Sequence, residues 1–166
     1  MSTIKEVWLR GETVEGLSPY LQPAAHALLQ AGEEITALMD NFPEGKLWES
    51  LSGMATPGFH LKHIAGVQDR LLTYAEGNLL TNEQLQYLNN EKVADKTLSE
   101  LVSHLNTTIQ QTIQRLNQFS DEELKAFRGV GRQQIPSTVI GLCFHAAEHT
   151  MRHTGQLLVT VKLLKQ

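Results

Sequence analysis

Apolar residues in this chain recur at steps of three and four along four long segments, and nowhere does sustained apolar–polar alternation set in. That pattern predicts amphipathic helices and leaves no half-buried strand from which to build a sheet. The first segment runs from Ser18 or Gln22 to Asn41, with Leu28, Ile35, Leu38, Met39 and Phe42 on or near one stripe. Pro19 and Pro23 both suit a helix's first turn and cannot both occupy it, so a short turn should precede a start near Pro23. The following loop is rich in Gly and Pro yet carries Leu47 and Trp48, which should pack on the helices.

A second segment, Gly58 to Glu76, ends at Gly77, a natural residue for a helix C-terminus. A short helix is expected over Asn82 to Asn90. The third long segment, Lys96 to Phe119, places Leu98, Leu101, Leu105, Ile109, Ile113 and Leu116 at helical spacing. In SDEELKAF, Ser120 and Glu123 form a capping-box pair, predicting one more short helix. A turn-rich stretch, RGVGRQQ, leads to Pro136, after which only the tolerable Gly141 and Gly155 interrupt a helical pattern running to the C-terminus. Four long helices joined by connections that include two longer crossovers describe an all-α four-helix bundle. At 166 residues the chain fits a single domain over 1–166, since two halves would each be marginal in size.

The net charge of −4, with Lys and Arg scattered singly, offers no basic stripe to a phosphate backbone, so nucleic acid is not expected as a partner. The N-terminus lacks the apolar stretch of a secretory signal, and no run approaches the roughly eighteen apolar residues of a membrane span. The one cysteine, Cys143, excludes an intramolecular disulfide and suits a reducing compartment. A cytoplasmic protein with no membrane partner is expected.

Five of the seven histidines fall into two windows, His60 and His63 in FHLKHIAG and His145, His149 and His153 in FHAAEHTMRHTGQ. At 100° per residue, positions 142, 145, 149, 153, 156 and 160 lie within about 80° of one another. One face therefore reads Leu142, His145, His149, His153, Gln156, Thr160, and its apolar ends predict that it turns toward the core. An unpaired buried polar group costs about 1–3 kcal/mol, so three histidines on such a face imply a shared partner. Residues four apart on a helix can both reach one ion at about 2.0–2.1 Å, which His149 with His153, or His145 with His149, could do. On the second helix, Phe59, His63, Val67, Leu71 and Tyr74 form the inward stripe, and His60 stands about 60° aside. His63 is thus the better third ligand. His60 and His145 are alternatives, or groups that orient the ligands.

These windows, together with their order along the chain, carry a resemblance. FHLKHIAGVQDRLLTYAEG, PSTVIGLCFH and EHTMRHTGQL resemble the corresponding segments of the DinB-like superfamily of bundle proteins, which includes bacillithiol-transferase-like and YfiT-like members. The resemblance spans nearly the whole chain and implies that His63, His149 and His153 bind a divalent metal. The family often has Arg directly after the last ligand where this chain has Thr154, a variation around the site rather than its loss. Imidazole suits zinc, nickel, copper and iron alike, and zinc or nickel is the expected ion. A three-histidine ion with an open position can lower the pKa of bound water toward about 7, or take a thiol as thiolate. The resemblance therefore implies thiol transfer with a low-molecular-weight thiol, or hydrolysis, on a small-molecule substrate. A homodimer is also expected.

The remaining candidates are weaker. Cys143 points about 120° away from His149 and reads as buried filler. Glu148 and Arg152 are placed to pair at i, i+4 on the rim. Gln156 shares the histidine face and could donate to a ligand or to substrate. Glu33 and Glu34 read as a solvated patch, and His26 and His104 as isolated histidines. Ferritin-like di-iron chemistry lacks the Glu-x-x-His helices it requires. Against the enzyme stand a non-catalytic metal-binding bundle and a purely structural or interaction bundle.

Overall fold

A computed structural model describes residues 5–165. Along them run α1 (Gln22–Met39), α2 (Pro57–Ala75), α3 (Asn82–Asn89), α4 (Leu98–Leu116), the strands β1 (Phe127–Val130) and β2 (Ile135–Thr138), and α5 (Val139–Leu164). Helix ends fall where the chemistry places them. Thr56 Oγ1 accepts from the Phe59 amide at 3.1 Å with Pro57 in the first turn, and Thr138 Oγ1 accepts from the Gly141 amide at 3.1 Å. Thr81 with Gln84, and Thr97 with Glu100, close reciprocal capping boxes. After α2, Gly77 takes φ +81°; its amide and that of Asn78 donate to Tyr74 and Thr73, the paired bonds of a Schellman stop. A turn from Ser18 to Leu21 precedes α1, as the two prolines require.

α1 and α2 each pack chiefly on α4 and α5. The four long helices therefore form a bundle with α1 diagonal to α2 and α4 diagonal to α5, and the segments 40–56 and 117–138 are its long crossovers. Leu28, Ile35, Ile64, Leu72, Leu105, Leu116, Leu157 and Val161 are fully buried at its centre, each burial contributing about 1.5–3 kcal/mol. Leu47 in the first crossover is buried too, and the ring of Trp48 lies so close to α2 that a Cβ at Gly58 would sit 2.7 Å from it.

Two local expectations need correction. The stretch 127–138 is an antiparallel hairpin, with Phe127 opposite Thr138 and Val130 opposite Ile135, rather than a turn. FRGV and IPST bury neither face and so carry no apolar–polar alternation, and Pro136 is tolerated because a two-stranded ribbon has a free edge on each side. Arg128 Nε donates to the Ala75 carbonyl at 2.7 Å and ties the hairpin to the end of α2. In SDEELKAF the bonds between Ser120 and Glu123 form, but the short helix expected there shrinks to a single 3₁₀ turn, Glu123–Lys125, whose N-cap is Glu122 rather than Ser120. Among the described residues no helix is long and apolar enough to cross a membrane.

Candidate metal centre

α2 and α5 pack side by side, and the buried face of α5 is made mostly of small side chains. On α5 the core face is Cys143, Ala146, Ala147, Thr150, Thr154 and Leu157; on α2 it is Leu61, Ile64, Ala65, Gln68 and Leu72. The histidine stripes lie beside these faces rather than on them. This corrects the expectation of core-facing stripes: His63, His149 and His153 are half-buried, while His145 and Gln156 are exposed. Leu142 and Thr160, the buried ends that suggested an inward face, belong to the margin of the true core face.

Across this groove one nitrogen from each of His63, His149 and His153 falls within 4.8 Å of the others. His63 Nε2 and His149 Nε2 are 2.9 Å apart, and the Phe59 ring stacks on His63 at 5.1 Å between centroids. Burial, with neighbouring histidines adding to it, lowers the pKa of His149 and of His153 to about 4. Both are neutral near pH 7, the state a metal ligand needs.

Glu91 completes the arrangement. Its Oε2 lies 2.7 Å from His63 Nδ1, which places the His63 proton on Nδ1 and leaves the Nε2 lone pair facing His149. His149 Nδ1 is buried without a partner. If the His149 proton is on Nε2, the Nδ1 lone pair has no donor; if it is on Nδ1, two lone pairs meet at 2.9 Å. In the second tautomer the facing Nε2 lone pairs of His63 and His149 are the ones a shared cation satisfies. Nitrogens sharing a tetrahedral ion at 2.0–2.1 Å stand roughly 3.3 Å apart, so His63 and His149 need open by only a few tenths of an ångström, and the cluster's other nitrogen pairs lie within 4.8 Å. The donor set thus fits a divalent ion.

Glu91 lies just beyond α3 and is 3% exposed, and α2 holds it with residues spaced four apart. Lys62 Nζ straps the loop by donating to the carbonyls of Asn90 at 2.8 Å and Val93 at 2.9 Å. It also meets Asp95 Oδ1 at 2.6 Å. Arg70 Nη1 pairs with Glu91 Oε1 at 2.8 Å. At Gly66 between them a Cβ would come within 2.8 Å of Glu91 Oε1 and 2.6 Å of Arg70 Nη1, so glycine makes room for the ion pair. Burial raises the Glu91 pKa, but the His63 hydrogen bond and the Arg70 charge outweigh it, and the carboxyl is held below its ordinary range. Sequence reasoning missed Glu91, Lys62, Gly66 and Arg70. Only the 62, 66, 70 spacing beside His63 hinted at a shared task.

The other candidates fall apart from the cluster. His60 is buried, and its Nδ1 lies 3.0 Å from His153 Nδ1, so it is placed to orient that ring. His145 approaches Glu148 at 3.4 Å at the exposed rim and does not join the three. Arg152 Nε donates to Glu148 Oε1 at 2.8 Å. Cys143 is fully buried, its thiol pushed up to about 12 by that burial. Glu33, on the outer surface of α1, pairs with Arg10, and Glu34 beside it is exposed. His26 and His104 lie outside the cluster.

The lowered histidine pKa values predict a pH effect on stability. Burial holds His60 near 4 as well, while an unfolded histidine titrates near 6.5. Between these values the unfolded chain binds more protons than the folded one, so stability is full above about pH 6.5 and declines as pH falls toward 4. Chelator-treated protein should melt roughly 5–10 °C lower at pH 4.5 than at pH 7, a loss of a few kcal/mol at this size. A melting temperature unchanged between pH 7 and 5 would contradict neutral, buried imidazoles.

Comparison with known proteins agrees with this architecture. The profile describing the DinB superfamily matches residues 27–157. A conserved protein of Enterococcus faecalis superposes with a TM-score of 0.70 at 16% identity, over 86% of this chain and 95% of that one. An uncharacterised protein from Clostridium difficile 630 gives 0.67 at 20%, over 90% and 97%. A structural-genomics protein from Streptococcus pneumoniae gives 0.65 at 20%, over 90% and 93%. At these identities the three structures speak for the fold alone, and no curated protein matches the chain. The matched span begins in α1 and ends in α5 beyond the last histidine of the cluster, and the chain belongs to the DinB superfamily.

Proposed function

We propose that the protein is a metal-dependent enzyme in which His63, His149 and His153 hold a divalent ion, zinc or nickel, for the attack of a low-molecular-weight thiol on a small-molecule electrophile. In the hydrolytic variant water replaces the thiol. The observation that carries this reading is the convergence of three imidazole nitrogens from two helices within 4.8 Å. When bound, a divalent ion with an open position supplies Lewis acidity, lowering the pKa of a thiol or water in reach. The chain's own residues prepare that chemistry. Glu91 keeps the His63 proton on Nδ1, and burial keeps His149 and His153 unprotonated near pH 7. His60 steadies the His153 ring, and the half-buried groove limits solvent while leaving one side open. In the transfer the thiol loses its proton, a sulfur–carbon bond forms, and the leaving group departs with the electrons of the broken bond.

Protein purified without an affinity tag, stripped with chelator and reloaded with zinc or nickel, tests the reading. Turnover of a small thiol with an activated aryl halide, present with metal and lost after stripping, is the expected result. Stoichiometric metal with no turnover across several thiols and several ester or amide substrates would instead make the protein a metal-binding bundle without catalysis.

A further inference from the structure

A cleft of about 540 Å³ runs between the segment preceding α2 and the C-terminal half of α5, lined in part by Met54, His60, Arg152, Gly155, Gln156 and Val159. That volume suits a small molecule. Its lining includes buried His60, whose Nδ1 is 3.0 Å from His153 Nδ1, so the cleft reaches within one hydrogen bond of the histidine cluster.

Gly155 is the telling residue. It lies within a regular helix without positive φ, and a Cβ built there meets nothing within 4 Å. Neither backbone conformation nor packing asks for glycine, which in a helix interior costs about 0.5–1 kcal/mol relative to alanine. What the missing side chain leaves is an open wall.

The rest of the lining has a definite chemistry. Arg152 uses one N–H bond each of Nε and Nη2 on Glu148, leaving three N–H bonds, both of Nη1 and the second of Nη2, to donate. The Gln156 side chain is exposed and makes no hydrogen bond among the described residues, while Met54 and Val159 show apolar surface at 37% and 54% exposure. A guanidinium and a free amide beside apolar side chains fit an amphipathic carboxylate.

We infer that this cleft is the substrate site and that its ligand is a small amphipathic molecule bearing a carboxylate, bound by Arg152 and Gln156 with its apolar part on Met54 and Val159. The inference rests on the metal-enzyme reading for its use, but its test is of binding. The probe is hexanoate, titrated into metal-free and metal-loaded protein and followed by amide chemical shifts, with hexanol as the uncharged control. Shifts at Gly155, Gln156 and Val159 in both forms are expected, with hexanol at least about five-fold weaker. Arg152→Ala should weaken hexanoate by a similar factor, and Gly155→Phe should abolish its binding. Gly155→Ala, which improves helix propensity, should raise the melting temperature while weakening binding, showing that the loss is not misfolding. Shifts elsewhere, equal binding of hexanol, or unchanged binding by Gly155→Phe would each overturn the proposal. So would binding seen only with metal and indifferent to Arg152→Ala, which would place the carboxylate on the ion. Hexanoate binding without any turnover would defeat the enzyme reading and leave the cleft standing; turnover with a KM unmoved by Gly155→Phe would do the reverse.

Discussion

His149→Ala protein, purified without a tag, should lose stoichiometric metal while keeping its fold. A four-ligand structural zinc site is worth about 10–16 kcal/mol at pH 7, or about 3–4 kcal/mol per ligand. Removing one of three imidazoles should therefore weaken binding by about 10²–10³-fold. His63→Ala and His153→Ala should do the same. The side chain at 149 lies beside the core face, and one of its buried nitrogens is unpartnered. Metal-free His149→Ala should accordingly melt close to the metal-free parent, which separates loss of a ligand from loss of structure. His145→Ala is the contrast, since that half-exposed ring lies outside the cluster and should leave affinity within a few-fold. Competition with a chromophoric chelator measures all four. Stoichiometric metal retained by each of the three cluster variants would disprove the ligand assignment.

The second large effect belongs to Glu91, whose carboxylate faces His63 at 2.7 Å and Arg70 at 2.8 Å. Glu91→Ala strands a guanidinium only 9% exposed. Breaking a buried pair from one side costs about 3–5 kcal/mol, or roughly 6–20 °C in melting temperature for a chain of this size. Glu91→Gln keeps the shape but loses the charge that fixes the His63 proton, and metal affinity should fall about 10–100-fold. Glu91→Gln combined with Arg70→Met tests the division of labour. With both charges removed no buried ion is left stranded, so stability should return toward the parent while metal affinity stays low. If affinity recovers together with stability, Glu91 supports the fold and does not orient the ligand.

Much of the bundle was legible along the chain because helix formation is local. The spacing of Leu101, Leu105, Ile109 and Leu116 marks a buried stripe without reference to any other segment, and Gly77 marks where α2 stops. The hairpin at 127–138 escaped because neither strand buries a face, so no apolar–polar alternation marks it. The sense of α5 escaped for a different reason. Histidine and small residues such as Ala146, Thr150 and Thr154 occupy neighbouring stripes, and which stripe enters the core depends on the helices packed against it.

A repeat of four on one helix made His149 and His153 a pair, and helical geometry singled out His63, before any coordinates, because those relations follow from rise and turn within a helix. Helical geometry left the pairs 149 with 153 and 145 with 149 open, and the family resemblance implied the first. The meeting of His63 with His149 across 86 residues of chain and the part played by Glu91 came only from packing. Each depends on how far apart two helices and a loop come to rest, a distance set by the side chains between them and by Lys62 and Arg70, which hold that loop against α2.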